Sequence, residues 1–171
     1  LKHRTLLVNG VSKAYAMTGW RIGYGAGHET LIKAMTTIQS QSTSNASSIS
    51  QHAAIEALEN TQEFVKKNKF IYQKRRDKLV SILSQSKCIE VVKPMGSFYA
   101  LPSIQKTIKK KSINGKTIMS DKDFVIELLK ETGVAVVPGS AFGLQNAFRI
   151  SYAVTETLLE EACSLIVKFV L

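Results

Sequence analysis

Cysteine is nearly absent from this sequence: Cys88 and Cys163 stand far apart, and no C-x-x-C pair occurs. That excludes a disulfide framework or a cysteine-ligated zinc site, and it fits a reducing cytoplasm. His3, His28 and His52 are scattered, with no metal-ligand spacing among them. No apolar run approaches the roughly 20 residues that cross a bilayer, so no membrane span is expected. Proline occurs only three times, and a hydrophobic content of 44% is ordinary for a globular chain. Acidic residues are outnumbered, 13 against 23 basic ones, for a net charge of +10. Such an excess invites a nucleic-acid reading. The charge gathers in Lys66–Lys78 and Lys106–Lys116, where no reader motif interleaves aromatics, so solvated faces are expected and no nucleic-acid partner.

What is present is concentrated near the start. Thr5 to Val8 is a short apolar run, followed by Asn9-Gly10-Val11-Ser12-Lys13 and, eight positions after the lysine, by Arg21. A second run, Arg21 to Ala26, reads with the first as a pair of buried strands bounded by glycine. The glycines at 23, 25 and 27 imply close approach to the backbone. A strand-loop-strand unit carrying one amine and one guanidinium suits a ligand with both an aldehyde and a phosphate. The amine can condense with the carbonyl, and the guanidinium can grip phosphate through two parallel hydrogen bonds.

Helical spacing follows from about Glu29, with Leu31, Met35 and Ile38 on one face. The polar stretch Gln39–Ser47 reads as a serine-rich linker. Ser48 and Gln51 have capping-box spacing for a helix to about Leu58, with Ile49, Ala53 and Ala57 inward. Asn60 and Glu63 repeat that spacing before a long helix to about Ser84. Cys88–Val92 and Ser97–Leu101 read as a hairpin, and Ile104–Ser120 as a loop open to motion. Ser120 and Asp123 cap a helix with Phe124, Leu128 and Leu129 inward and Gly133 as its stop. Val134–Val137 and Ala147–Ala153 read as strands, the second with Phe148, Ile150 and Tyr152 on one face and Arg149 on the other. Thr155 caps a last helix, with Leu158, Leu159, Ala162, Leu165, Ile166 and Phe169 at helical spacing.

Gly10-Val11-Ser12-Lys13 with Gly19-Trp20-Arg21-Ile22-Gly23 resembles the cofactor-attachment segment of class I aminotransferases, the aspartate aminotransferase family. Pro94-x-Gly96-Ser97-Phe98-Tyr99 and Phe148-Arg149-Ile150-Ser151-Tyr152 resemble two later segments of that family, in its order. The resemblance implies an α/β fold: the C-terminal part of the large pyridoxal-phosphate-binding domain over 1–62, then a smaller α/β (α+β) domain over 63–171, opened by the long helix. It implies pyridoxal 5'-phosphate as cofactor, with Lys13 as attachment and catalytic residue and Arg21 as phosphate ligand. Many members carry a hydroxyl three residues before that lysine. Here Gly10 stands there, so Ser12 or residues elsewhere must serve. Arg149 is implied to bind the substrate α-carboxylate. Phe98 lies close to substrate by the same resemblance, and a core aromatic is an equal reading of it.

The resulting expectation is amino transfer between an amino acid, aspartate foremost, and a 2-oxo acid, in a cytoplasmic homodimer. Aromatic or prephenate specificity, a lyase or synthase, and a basic binding module without catalysis stand as alternatives. The chain opens at Leu1 with no initiator methionine and is shorter than members of the family. A C-terminal piece, inactive by itself, is therefore expected.

Overall fold

The computed structural model describes residues 1–60 and 62–170. The chain divides into two compact units, Leu1–Asn68 and Lys69–Leu171. The division falls within a long helix, whereas the sequence reading put it just before that helix begins.

The first unit holds strands β1 (Leu7–Gly10) and β2 (Gly23–Ala26) and helices α1 (Glu29–Ser42) and α2 (Ser48–Glu59). The strands are antiparallel, in a register that pairs Leu7 with Ala26 and Gly10 with Gly23. They are exposed rather than buried, which corrects the expectation from their apolar runs. A two-stranded ribbon has no layers on both sides to cover it, and Val8 remains 73% accessible. Close approach is real at Gly23 and Gly27: a Cβ on Gly23 would lie 3.0 Å from the Asn9 carbonyl oxygen, and one on Gly27 3.1 Å from Leu6 Cδ1.

His28 starts α1, its Nδ1 accepting the Thr30 N–H at 3.3 Å. The helix runs four residues into the stretch read as linker. α2 is capped at Ser47, not Ser48, and Gln51 donates its amide to the Ala46 carbonyl instead of closing a box. Its inward face is Ser50 and Ala54, while Ile49 points outward at 71% exposure. Asn60 closes α2 through its N–H to the Glu56 carbonyl, so it does not open the next helix.

That helix, α3 (Glu63–Leu83), enters the second unit and buries Leu79 and Leu83 there. The second unit continues with β3 (Tyr99–Ala100), α4 (Asp121–Thr132), β4 (Val137–Pro138), β5 (Phe148–Ser151) and α5 (Glu156–Val170). The sheet order is β3-β5-β4, antiparallel throughout. Its core gathers Leu79, Leu83, Phe124, Leu128, Phe148, Ile150, Leu159 and Ile166. Phe124 stacks on Phe148 with centroids 5.4 Å apart and meets the edge of Phe169 at 5.3 Å, joining α4, β5 and α5.

Ser120 and Asp123 cap the start of α4 as expected. Ser120 Oγ accepts the Asp123 N–H at 3.1 Å, and Asp123 Oδ2 accepts the Met119 N–H. Gly133 ends the helix at φ 74°, the left-handed region that glycine enters freely. Leu129 points outward. α5 begins as read, with Thr155 Oγ1 accepting the Leu158 N–H, but Leu158 itself is exposed.

Two expectations in this unit fail. Cys88–Val92 is not a strand, and no hairpin joins it to 97–101. Only Glu90 bridges Ser103, and β3 pairs with β5 instead. Pro94 lacks an N–H and Ser97 takes φ 67°, so the segment between them cannot continue a ladder. Nor is 104–120 a loose loop. Ile104 and Ile118 are fully buried, Lys109 and Lys110 exchange backbone bonds with Ile118, and Gly115 turns the chain at φ 81°.

Candidate functional site

The candidate residues fall into two groups, one in each unit. Ser12, Lys13 and Arg21 belong to the first. The pairing of Gly10 with Gly23 closes the ribbon, and the chain leaves and re-enters it at that end. Ser12 and Lys13 therefore follow the last residue of β1 closely, and Arg21 precedes β2.

Between them, Val11 to Met17 wind into one helical turn. The Tyr15 N–H reaches the Val11 carbonyl at 3.3 Å, the Met17 N–H reaches Ser12 at 3.1 Å, and the Ala16 N–H reaches Lys13 at 3.2 Å. With Ala16 at φ 54°, this is a Schellman closure, the arrangement that ends a helix by saturating its last carbonyls. Val11 is fully buried beneath the turn and anchors it. The Tyr15 hydroxyl donates to Gln62 Oε1 at 2.7 Å, and Gln62 in turn donates to the carbonyls of Ala57 and Asn60. The backbone carbonyls of Ser12 and Lys13 are thus both committed, which fixes where the Lys13 side chain departs. Lys13 is exposed and Ser12 half-buried.

Arg21 sits at φ 51° at the end of the 3-10 turn Thr18–Trp20. Its Nη1 donates to the Thr18 carbonyl at 2.7 Å, which holds the guanidinium against its own turn. A left-handed arginine is unusual backbone and is kept here by that double return, N–H and side chain, onto one carbonyl. The amine, the hydroxyl and the guanidinium lie on one short loop, and their chemistry matches an aldehyde with a phosphate. Exposure of Lys13 means that residues 1–68 alone do not enclose it.

The second group is in the sheet. β5 alternates as the sequence implied: Phe148, Ile150 and Tyr152 are buried, and Arg149 and Ser151 face the other way. The Arg149 guanidinium carbon lies 4.3 Å from the Tyr99 ring centroid and 4.4 Å from that of Phe142. Tyr99 comes from β3 on one side of β5, where it pairs with Ser151. Phe142 comes from the other side, in the 3-10 turn Gly139–Phe142 that follows β4. Sequence reading missed both rings as partners of the arginine. The signal available was Tyr99 on the same strand face as Arg149, visible only once β3 is known to pair with β5.

Phe98 packs elsewhere. Its ring lies 4.4 Å from Tyr99 and 6.3 Å from Tyr72, and it adjoins the core. The segment around it is tied down by Tyr152, whose hydroxyl donates to the Ser97 carbonyl at 3.0 Å and whose N–H meets Phe98. Burial pushes the Tyr152 phenol above its ordinary range, opposed by the charge of Arg76, so it stays a neutral donor. Among the described residues no cluster of three His, Cys, Asp or Glu could hold a metal ion, and no helix is long and apolar enough to cross a membrane.

Comparison with known proteins adds to this geometry. The model of the family described as aminotransferase class I and II matches residues 2–166. A probable aspartate/prephenate aminotransferase of Rhizobium leguminosarum bv. phaseoli is 59% identical over 169 residues, 99% of this chain and 42% of that relative. The crystal structure of the aspartate aminotransferase from Rhizobium meliloti superposes with a TM-score of 0.94 at 50% identity, over 99% of this chain and 42% of that one. The Thermus thermophilus aspartate aminotransferase with maleate gives 0.85 at 37% identity, over 98% and 42%. The chain thus spans about two-fifths of the length of these relatives and has the fold of that part of them.

Proposed function

Since the chain belongs to the class I and II aminotransferase family, we propose that the complete protein moves an amino group from an amino acid, aspartate foremost, to a 2-oxo acid with pyridoxal 5'-phosphate. The observation that carries this reading is the loop from Ser12 to Arg21, pinned at both ends by the Gly10–Gly23 pair. When bound, pyridoxal phosphate supplies an electron-withdrawing ring that spreads the charge left at the substrate α-carbon. Lys13 holds the cofactor aldehyde through its amine. The same amine would accept and return the substrate α-proton, so one side chain would serve as nucleophile and as general base and acid. Arg21 grips the phosphate with its planar fork, and the Ser12 hydroxyl adds a hydrogen bond where Gly10 has none to give. Arg149 pairs with the substrate α-carboxylate and so orients the C–H bond that breaks. Phe98 lines the substrate side in this reading.

Residues 1–62 would belong to the larger cofactor-binding domain and 63–171 to the smaller one, with a homodimer in a reducing cytoplasm as the working assembly. Prephenate is a second amino-acceptor specificity, favoured by the aspartate/prephenate name of the Rhizobium relative.

The test is amino transfer from aspartate to 2-oxoglutarate by the complete protein, with borohydride fixing the cofactor before peptide mapping. Turnover with the label on Lys13 is expected. A label elsewhere, or binding with no turnover, would leave the non-catalytic module as the better reading.

A further inference from the structure

We propose that Tyr99 and Phe142 are positioning residues that hold the Arg149 guanidinium between them and thereby fix the plane in which a carboxylate can be bound. The inference rests on the reading of Arg149 as the carboxylate ligand and extends it to two residues that reading does not name.

The geometry begins with strand order. β5 is the central strand, so its side chains have neighbours on both sides. Tyr99 pairs with Ser151 in β3, and Val137 pairs with Arg149 in β4. Cross-strand partners share a face, which puts Tyr99, Arg149, Ser151 and Val137 on one side of the sheet. From there the Arg149 guanidinium carbon lies 4.3 Å from the Tyr99 centroid and 4.4 Å from the Phe142 centroid, both well inside cation–π range. Both rings present apolar surface to the cation. A guanidinium so flanked keeps its N–H edge as the direction for an anion, and a carboxylate meets that edge through two parallel bonds.

Phe142 is not free to drift. The turn that carries it is bonded at each end: the Gly139 N–H to the Ala147 carbonyl at 2.8 Å, and the Gly143 N–H to Ser140 at 3.2 Å. Asp121, 5% exposed at the start of α4, accepts the Ser140 N–H on Oδ2 at 2.6 Å. Gly139 is packed so closely that a Cβ there would come within 2.4 Å of the Leu144 carbonyl oxygen. Phe142 as a residue is 48% accessible, too open to be explained as core filling. A half-exposed aromatic on a rigid turn, aimed at a cation, has a local role at that cation.

The experiment uses the complete enzyme with Phe142→Leu, Tyr99→Leu and Tyr99→Phe, and Arg149→Lys as reference. The readouts are KM and kcat for aspartate, and the dissociation constant of maleate by calorimetry. Loss of one cation–π contact should raise KM and the maleate constant by about two- to thirty-fold in Phe142→Leu and Tyr99→Leu, with kcat much less affected. Tyr99→Phe, which keeps the ring, should restore wild-type values. Were Phe142→Leu unable to fold, the Tyr99 pair would decide alone. If Arg149→Lys weakens maleate and the leucine variants do not, the positioning role is wrong while the Arg149 reading stands. If Arg149→Lys leaves maleate unchanged, the Arg149 reading itself fails.

Discussion

The Tyr15 hydroxyl donates a 2.7 Å hydrogen bond to Gln62 Oε1, tying the turn that carries Lys13 to the chain just beyond α2. Gln62 is held in place by its own two bonds, to Ala57 and Asn60, so it acts as the fixed partner. Tyr15→Phe should therefore loosen the turn and leave α2 intact. The expected loss is about 1 kcal/mol. Hydrogen exchange of the Ala16 and Met17 amides is the direct measurement, and unchanged protection would show that the tie does not matter.

Lys13→Ala should abolish turnover in the complete protein, since no other group on this loop combines an amine with a position next to β1. Arg21→Lys should weaken cofactor retention before it slows the chemistry, because lysine keeps the charge but not the fork. Dialysis against phosphate followed by absorbance of the retained cofactor separates the two. An alanine variant that kept the wild-type absorption band would refute the Lys13 assignment.

Acid should weaken the second unit through Glu127. Its carboxylate, 4% exposed as a residue, bonds Lys130 at 3.0 Å and Lys116 at 3.1 Å. The Lys130 bond first, and the Lys116 bond next, hold the carboxyl below its usual range against the opposing effect of burial. A carboxyl depressed in the folded state adds stability above its unfolded value, and that stability disappears as pH falls through the folded one. Glu127→Gln should lower Tm at neutral pH and flatten its decline in acid. Parallel acid profiles for the two proteins would rule this out.

The two thiols should differ sharply. Cys163 is fully buried in α5 and burial pushes its thiol up to about 12, so it stays protonated and unreactive. Cys88 is half-buried, with Lys110 Nζ 3.1 Å from its sulfur. A thiol reagent at pH 8 should modify one cysteine per folded chain and the second only on unfolding. Rapid modification of both would contradict the packing around α5.

Gly139→Ala should be costly although alanine is small. Its Cβ would meet backbone oxygen at 2.4 Å and the Ala147 Cβ at 2.9 Å, and neither can swing aside like a side-chain tip. Overpacking of this kind costs about 1–3 kcal/mol. Chemical denaturation should show a lower midpoint at unchanged m-value.

What could be read ahead of the structure was local. The alternation of Phe148, Ile150 and Tyr152 announces its own buried face, and Ser120 with Asp123 encodes the start of α4 within four residues. What could not be read depends on partners distant in sequence. Val8 and Ile38 look like core residues by type, yet a sequence does not say which layers will cover them. Ile49 follows helical spacing but lies one step off the face that Ser50 and Ala54 define. Cys88–Val92 has the composition of a strand yet bridges only Ser103, through Glu90, and its own residues do not say which partner it meets. The rings around Arg149 were hidden for the same reason: Tyr99 and Phe142 meet it through strand order, and no local pattern expresses strand order.

The Schellman closure over Ser12–Met17 also sets a length rule for the loop. Its bonds link fixed offsets along the chain, so the count of residues between Ser12 and Met17 is itself a structural parameter. Adding or removing one residue there would turn the amine by about 100° around the turn axis, aiming it away from its former direction. Substitutions at Ala14 can be absorbed at the surface; a single-codon insertion beside it cannot. Tolerance to length change, scanned codon by codon from Gly10 to Gly23, should therefore collapse within this turn.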